Sequence, residues 1–215
     1  MQDFACVACL LAPLIAYVCG SIPTGDLIGR RLGIAVRQTG SGNIGATNLA
    51  RTAGRTAGLL TLAGDMAKGL IPVLAVRLLG FGEVVQAATA VAVVVGHMFS
   101  IFLGFTGGKG IASGFGVLLG LTPLATLSAL VVFVGVFAAS RIVSAASLAA
   151  TLAVPPLLAV LAYPRPYLFA VSLLALLVVA RHRDNIRRLW KGQEAPFRLA
   201  SDGKHTAPEE PDSSA

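Results

Sequence analysis

Charged residues are scarce in this sequence. Asp, Glu, Lys and Arg make up 13% of its 215 residues, and 55% are hydrophobic, whereas an ordinary soluble domain has about 25% charged residues. The apolar residues form continuous runs instead of alternating, which favours helices of about 20 residues as the structures that satisfy the backbone inside a bilayer. We therefore predict an all-α integral membrane protein.

Cysteine is scarce as well. Cys6, Cys9 and Cys19 all lie in the first apolar stretch. Cys6 and Cys9 form a C-x-x-C pair, but no second pair or polar setting supports a zinc or redox site. We interpret all three as small packing residues of a membrane helix, and we expect no metal and no cofactor.

Seven apolar stretches, some of them short, are candidate transmembrane helices. They run from Phe4 to Ile28, Ala57 to Leu79, Val84 to Leu103, Ile111 to Leu121, Leu124 to Ala139, Ile142 to Ala159 and Tyr163 to Ala180. The first has no Lys or Arg before it, so we interpret it as a retained span and not as a signal peptide. Residues 110–140 carry no charge and would measure about 46 Å as one helix, against a hydrocarbon core of about 30 Å. Because Pro123 lies near their middle, we expect two helices there.

The distribution of basic residues predicts the orientation. With seven spans, one side carries Arg30, Arg31, Arg37, Arg51, Arg55, Lys109, Arg141 and the seven basic residues from Arg181 to Lys204, and only Arg77 and Arg165 lie near the other side. Basic loops tend to remain in the cytoplasm. We therefore place the N-terminus outside and the C-terminus in the cytoplasm.

The chain divides into two parts by composition. Residues 1–190 form a polytopic helical membrane domain with a site on its cytoplasmic face. Residues 191–215 turn polar and end in "APEEPDSSA", a composition that buries too little apolar surface to fold alone. We predict a disordered cytoplasmic tail there.

Three polar segments interrupt the apolar runs. They are "RQTGSGNIGATNLART" (37–52), "GFTGGKGIAS" (104–113) and "RHRDNIRRLWKGQE" (181–194). In the first, closely spaced glycines let backbone N–H groups approach an oxyanion, which suits a phosphate. The G-x-G-x-x-G spacing does not indicate a dinucleotide, because no strand precedes it and Asp65 lies in an apolar stretch beside Lys68. We expect Asp65 and Lys68 to form an ion pair within the membrane.

The second and third segments offer further phosphate ligands. In the second, Lys109 is followed by Gly110 instead of Ser or Thr, so this is not a Walker A motif, but Lys109 can still neutralise a phosphate. In the third, His182 and Asn185 lie three residues apart and share a helical face.

His97 is either a packing residue or a substrate contact. The glycines and basic residues also have simpler interpretations, as sites of close helix packing, topology signals or contacts with anionic lipid.

Five motifs, taken together, resemble the bacterial acyl-phosphate:glycerol-3-phosphate acyltransferases, the PlsY family. They are "GSIPTGDLIGRRLG" (20–33), "GSGNIGATNLAR" (40–51), "GDMAKG" (64–69), "GHMFSIFLGFTGGKGIAS" (96–113) and "RHRDNIRRLWKGQE" (181–194), and the resemblance covers about residues 4–195. Ser100 stands where this family is expected to have Pro, and Thr106 where a basic residue is common. The resemblance implies transfer of a fatty acyl group from acyl phosphate to the 1-hydroxyl of glycerol 3-phosphate, giving lysophosphatidic acid and phosphate.

The resemblance also implies site residues. The catalytic group is Ser41, Arg51, Lys109, His182 and Asn185, and the substrate-binding group is Gly40, Gly42, Asn43, Gly45, Thr47, Asn48, Gly107, Gly108, Gly110, Ser144 and Ser147. Glu194 matches a structural glutamate. The implied setting is the bacterial inner membrane, with the site facing the cytoplasm, membrane lipid as the surroundings and the upstream acyl-phosphate-forming enzyme as a partner. No nucleic acid is expected.

The residues are consistent with a mechanism that needs no strong protein base. An acyl phosphate carries a good leaving group, so positioning and charge neutralisation can supply most of the catalysis. We expect the donor phosphate to accept the hydroxyl proton while His182 orients the hydroxyl, or His182 to act as the base. The competing classes are a small transporter or channel for a phosphorylated anion and a nonenzymatic lipid-binding scaffold.

Overall fold

A computed structural model describes residues 2–199, with side chains from Val7 onward. The helices are α1 (Gln2–Ser21), α2 (Thr24–Arg31), α3 (Ala46–Thr52), α4 (Gly54–Leu78), α5 (Glu83–Met98), α6 (Ile111–Leu121), α7 (Pro123–Ser140), α8 (Val143–Val160), α9 (Arg165–Arg181) and α10 (Arg183–Trp190). Within residues 2–199 there is no β-strand, only an isolated bridge between Ser100 and Thr106. The all-α prediction is confirmed. The tail beyond residue 199 and the side chain of Cys6 lie outside the described residues.

Four helical segments are long and apolar enough to cross a bilayer. They are Val7–Arg31, which includes α2, together with α4, α7 and α8, and α9 with α10 makes a fifth if this pair, bent by 61°, is counted as one span. The remaining apolar helices, α5 and α6, have 16 and 11 residues, or about 24 and 17 Å of length. All seven predicted stretches are therefore helical, while the count of seven spans stays a prediction.

The uncharged stretch from residue 110 to residue 140 is two helices, as expected. α6 ends at Leu121 and α7 begins at Pro123. Proline suits a first helical position, since its missing N–H would have no partner there and its φ is already helical. The two helices can therefore pack side by side instead of exceeding the thickness of the bilayer.

Glycines bring the helix backbones close together in the core. A Cβ added to Gly20 of α1 would lie 2.0 Å from the Val93 carbonyl oxygen of α5, and one added to Gly116 of α6 would lie 2.1 Å from the Met66 carbonyl oxygen of α4. Such close approach is how small residues let membrane helices associate by van der Waals contact. It fixes the ends of α4, α5 and α6, from which two of the polar segments depart.

The three polar segments meet at one end of the bundle, which we call the polar end. Arg37 of the first segment donates to Thr106 of the second at 3.0 Å, and Lys109 of the second donates to Asn185 of the third at 2.5 Å. Arg77 lies at the end of α4 and Arg165 at the start of α9. The predicted clustering of the motifs on one face is therefore present in the fold.

The predicted sidedness can be tested by cysteine labelling. In a variant without the native cysteines, a cysteine at Glu83 should react with a membrane-impermeant maleimide in intact cells, and one at Lys191 should react only after lysis. The reason is that exposed Lys191 lies at the polar end, which the positive-inside tendency places in the cytoplasm. Equal labelling of both positions in intact cells would contradict the topology.

Candidate active site

The first glycine loop, residues 39–45, is held in shape by Asn48. The Asn48 Oδ1 accepts the Ser41 N–H at 2.9 Å, and its Nδ2 donates to the Thr39 carbonyl at 3.1 Å and the Val36 carbonyl at 3.3 Å. Gly40 has φ +62°, in the left-handed region that favours glycine, and a Cβ there would lie 2.4 Å from the Asn48 Oδ1. The contacts thus give Asn48 a loop-shaping role.

The end of this loop leads directly into α3. The Gly45 N–H donates to the Asn43 Oδ1 at 3.1 Å, and Gly45 is the residue before the first turn of α3. Thr47 is half-buried in that first turn, and Ser41 is exposed. These two hydroxyl groups are therefore placed beside the loop without being sealed in the core.

The second glycine loop, residues 107–110, is held from two sides. The Gly108 N–H donates to the His97 carbonyl at 3.1 Å. On the other side, the Arg181 guanidinium donates to the Gly107 carbonyl at 2.6 Å and the Gly108 carbonyl at 3.2 Å. Because both carbonyls point at Arg181, the loop cannot rotate freely, and Lys109 leaves it in a fixed direction.

Lys109 reaches the third segment through Asn185. Its Nζ donates to the Asn185 Oδ1 at 2.5 Å, and the Asn185 Nδ2 donates to the Glu194 Oε1 at 2.5 Å. Burial is the main cause that lowers the pKa of Lys109, and the negative charge of Glu194 opposes it. The amide thus links a partly desolvated cation to its nearest carboxylate.

Glu194 is the acceptor at the centre of the site. Besides Asn185, Ser144 donates to its Oε1 at 2.7 Å and the Arg188 Nε to its Oε2 at 2.5 Å. Burial alone would raise the pKa of Glu194, but these hydrogen bonds outweigh burial, and the pKa lies below its usual value. Glu194 is therefore ionised at neutral pH and ties α8 to α10, and its structural role stays a prediction.

His182 lies at the bend between α9 and α10 and is 2% exposed. Its Nδ1 lies 2.8 Å from the Val178 carbonyl oxygen. A carbonyl can only accept, so Nδ1 carries the ring proton and Nε2 presents a lone pair. Burial is the main cause that lowers the pKa of His182 to about 4, so the ring is neutral at pH 7.

Arg51 joins the same cluster through the chain that follows Glu194. Its Nη2 donates to the Ala195 carbonyl at 3.3 Å and the Pro196 carbonyl at 3.4 Å, and its guanidinium carbon lies 5.7 Å from the centre of the Phe197 ring. The Phe197 N–H donates to the Arg141 carbonyl at 2.8 Å. The first residues of the predicted tail therefore contact the site.

The structure brings together Lys109, Asn185, Glu194 and Ser144 by direct hydrogen bonds, with His182 and Arg51 beside them. Ser147 lies elsewhere. One turn deeper than Ser144 on α8, it lines an apolar groove between α4, α6, α7, α8 and α9 with a volume of about 280 Å³. Gly110, the residue after Lys109, is one of the residues that line this groove, so the polar cluster and the groove adjoin.

Three arginines were missed as site residues. Arg37, Arg181 and Arg188 were interpreted only as signals of orientation, yet each holds a loop or the carboxylate of Glu194. Only Arg188 had a local signal, because it follows Asn185 by three residues and shares its helical face. The others act over separations of 69 and 74 residues.

The two departures from the family pattern have structural explanations. The hydroxyl of Ser100, 1% exposed, donates to the Ser21 carbonyl at 2.5 Å, where α1 ends. The Thr106 hydroxyl accepts from Arg37 and donates to the Leu103 carbonyl at 2.6 Å. Both side chains keep the second loop attached to its neighbours.

Comparison with known proteins agrees with this geometry. A crystal structure described as PlsY (YgiH), an integral membrane glycerol 3-phosphate acyltransferase in its glycerol 3-phosphate form, aligns with a TM-score of 0.86 and 39% identity over 89% of this chain and 96% of that one. Its lysophosphatidic acid form aligns with a TM-score of 0.83. The fold and site thus define an integral membrane acyltransferase.

Sequence relatives give the same result. The glycerol-3-phosphate acyltransferase of Geobacter sulfurreducens is 49% identical over 190 residues, covering 88% of this chain and 97% of the relative. That of Aquifex aeolicus is 41% identical over 189 residues, covering 87% and 98%. The family model for glycerol-3-phosphate acyltransferase matches residues 10–192. The chain belongs to the glycerol-3-phosphate acyltransferase family, which confirms the enzyme prediction over the transporter and scaffold.

Replacing Gly40 with alanine should damage the first loop. Gly40→Ala places its Cβ against Asn48, so we expect kcat/KM for acyl transfer to fall at least tenfold. Gly33→Ala is the matched control, since Gly33 has φ +69° but its Cβ would meet nothing within 4 Å. Initial rates of both purified variants test this, and equal losses in the two would contradict the loop-shaping role of Asn48.

Replacing Glu194 with glutamine should weaken the whole cluster. Glu194→Gln leaves Arg188 without its carboxylate partner, and a lost charged hydrogen bond costs roughly 1.5–3 kcal/mol. We expect a lower unfolding temperature in detergent and at least a tenfold loss of turnover. Asp184→Asn, at an exposed acid on α10, the helix of Arg188, should leave the unfolding temperature near that of the wild type and change turnover by no more than about twofold. A stable, fully active Glu194→Gln protein would be inconsistent with a central role for this carboxylate.

Proposed function

We propose that the chain transfers a fatty acyl group from acyl phosphate to the 1-hydroxyl of sn-glycerol 3-phosphate, giving lysophosphatidic acid and inorganic phosphate. The observation that carries this proposal is the junction at Lys109 and Gly110. Lys109 donates a hydrogen bond into the polar cluster, and the next residue, Gly110, is one of the residues that line the apolar groove. A substrate with a phosphate head and a long apolar chain fits such a junction.

The charges at the polar end support phosphate-bearing substrates. Arg51, Lys109, Arg181 and Arg188 converge there, and among the described residues the carboxylates whose charges act on Lys109 are Glu194 and, more weakly, Asp184. Cations with several N–H donors are the strong protein ligands for phosphate oxygens. The excess positive charge suits two anionic substrates held side by side.

The groove supports an acyl chain as the apolar part. Leu62 and Met66 of α4, Leu118 of α6, Phe133 of α7 and Val154 of α8 contribute to its walls. An acyl chain in this groove would direct its carbonyl carbon toward Lys109. The donor would thereby be held in an orientation that favours attack. Holding reacting groups in such an orientation lowers the activation barrier.

The chemical step needs one nucleophile and one proton acceptor. The 1-hydroxyl oxygen of glycerol 3-phosphate attacks the carbonyl carbon of the donor, the bond from that carbon to the phosphate oxygen breaks, and the hydroxyl proton passes to the departing phosphate. In the bound state the Nε2 lone pair of His182 orients the hydroxyl by accepting its hydrogen bond; as the oxygen attacks, this single proton leaves Nε2 and passes to the departing phosphate. Lys109, Arg51 and the N–H groups of the glycine loops stabilise the developing negative charge.

The low pKa of His182 favours this assisted route over a histidine base. With a pKa of about 4, the ring is a weak proton acceptor, whereas general bases work best when their pKa lies near the operating pH. Since the folded pKa is below the ordinary value of 6.5, His182 stays neutral as the pH falls from 8 to about 5.5. Because the ring does not gain a proton in that range, His182 contributes no pH dependence to kcat there.

We also propose the cellular setting. The multi-pass helical fold is that of a membrane protein, and the basic polar end favours a bacterial inner membrane orientation with the site facing the cytoplasm. Glycerol 3-phosphate reaches that side in solution, and the acyl phosphate comes from an upstream acyl-phosphate-forming enzyme.

The donor can be tested with purified protein in detergent. Palmitoyl phosphate and radiolabelled glycerol 3-phosphate should give lysophosphatidic acid, and palmitoyl-CoA should give none. Lys109→Met and Arg51→Met should each lower kcat/KM by about 10²-fold or more, in line with loss of a charge-stabilising donor. Arg183→Met, at an exposed position, is the matched control and should keep its rate. Product from palmitoyl-CoA alone would contradict the proposed donor.

The same assay separates the two routes for the proton. His182→Gln keeps a hydrogen-bond acceptor but no base, so the assisted route predicts measurable turnover whose dependence on pH between pH 5.5 and pH 8 is the same as that of the wild type. Complete loss of turnover with unchanged substrate affinity and fold would instead make His182 the base.

A further inference from the structure

Three ionisable side chains lie buried beneath the glycine loops. Asp65 and Lys68 belong to α4 and His97 to the end of α5, and they are 2%, 8% and 3% exposed. The Lys68 Nζ lies 2.8 Å from the Asp65 Oδ1, which confirms the predicted pair, and the His97 Nδ1 lies 3.6 Å from the same oxygen. We propose that Asp65, Lys68 and His97 form one positioning unit that sets the backbone of both glycine loops.

His97 supports the second loop directly. A Cβ added to Gly108 would lie 2.1 Å from the His97 Nε2, and one added to Gly107 would lie 2.2 Å from the His97 carbonyl oxygen. Together with the hydrogen bond from the Gly108 N–H, these contacts seat the loop backbone on the ring and carbonyl of one residue. The orientation of the His97 ring therefore fixes the distance between α5 and the backbone of the loop that carries Lys109.

Asp65 sets the orientation of that ring. The His97 Nδ1 is buried and has no hydrogen-bond partner among the described residues, so the Asp65 carboxylate at 3.6 Å is the charged group that it faces. An ionised carboxylate favours a proton on the ring nitrogen that faces it. This arrangement directs the opposite ring nitrogen, Nε2, toward Gly108.

Lys68 carries the unit to the first loop. Its Nζ also donates to the Ile22 carbonyl at 2.7 Å, in the break between α1 and α2. In α2, a Cβ added to Gly25 would lie 1.9 Å from the carbonyl oxygen of Ile44, which stands between Asn43 and Gly45 in the first loop. The position of the α1–α2 break therefore determines where α2 meets that loop.

Stability alone does not account for three buried ionisable groups. Well-packed apolar side chains of similar volume often stabilise a protein as much as a buried ion pair or more, and ionisable groups inside membrane segments usually serve a function. Here His97 contacts the second glycine loop, Lys68 contacts the break between α1 and α2, and Asp65 contacts both His97 and Lys68. The inference rests on the proposed phosphate-binding role of the two loops.

Two variants separate positioning from stability. Asp65→Leu/Lys68→Met removes both charges together, so neither is left unpaired, and His97→Gln leaves the Asp65–Lys68 pair intact. Thr89→Val on α5 is the matched control, because Thr89 is fully buried and its hydroxyl has no partner among the described residues. All are purified in detergent as full-length chains.

Three quantities are measured on each protein: the unfolding temperature, its increase with added inorganic phosphate at constant ionic strength, and KM and kcat for acyl transfer. Binding to the folded state stabilises it by an amount that grows with the logarithm of the ratio of ligand concentration to Kd, so the unfolding temperature rises with ligand concentration. We expect both test variants to unfold near the wild-type temperature but to bind phosphate at least tenfold more weakly, with KM for a phosphate-bearing substrate raised at least tenfold. Thr89→Val should match the wild type.

Wild-type phosphate affinity and KM in either test variant would overturn the positioning unit. Failure of His97→Gln to fold would also overturn it, because His97 would then serve stability. Absence of phosphate binding by the wild type would count against it as well. A wild type that binds phosphate but makes no lysophosphatidic acid from palmitoyl phosphate would defeat only the proposed donor, and the phosphate affinities of the variants would still decide the positioning claim.

Discussion

The carboxylate of Glu194 is the interaction on which the polar end depends. It accepts from Ser144, Asn185 and Arg188, and through Asn185 it holds Lys109. Because it lies in the chain after α10 while Ser144 begins α8, it joins elements that are 50 residues apart. Without an ionised acceptor here, Arg188 would lose its partner, and Asn185, which holds Lys109, would lose one of its hydrogen bonds.

This arrangement suits the proposed reaction, in which one small chain holds two phosphates and an acyl chain. The cations are held by carbonyls and by one carboxylate, so they keep positive charge in excess where the loops meet. The apolar groove is lined in part by Gly110, one residue from Lys109. Head group and chain of one substrate can therefore be bound by adjoining parts of a single bundle, with the reacting carbonyl at the boundary.

Sequence patterns predicted the features that depend on residues close together in the chain. The uncharged run and Pro123 gave the break between α6 and α7, since bilayer thickness and proline geometry act within one segment. The spacing of Asp65 and Lys68 gave their ion pair, because residues three apart on a helix are neighbours. The distribution of Lys and Arg between the two sides of the predicted spans placed the motifs at one end of the bundle.

Long-range partners were beyond prediction from local spacing. Nothing in the sequence around Arg181 indicates that it holds the carbonyls of Gly107 and Gly108, and nothing near Ser144 indicates Glu194. Ser147, expected beside Ser144, lines the groove because a further turn of α8 carries it deeper into the bundle. Asn48 resembles a ligand in sequence, but its amide is occupied by the loop that it shapes.

The most direct test is an experimental structure of the protein with a nonhydrolysable acyl phosphonate and glycerol 3-phosphate. The account predicts the phosphonate between the two glycine loops and within hydrogen-bond reach of Lys109. It predicts the acyl chain in the apolar groove that Gly110 helps to line. It also predicts the 1-hydroxyl of glycerol 3-phosphate beside the His182 Nε2. A phosphonate bound away from both loops, or an acyl chain outside the groove, would contradict it.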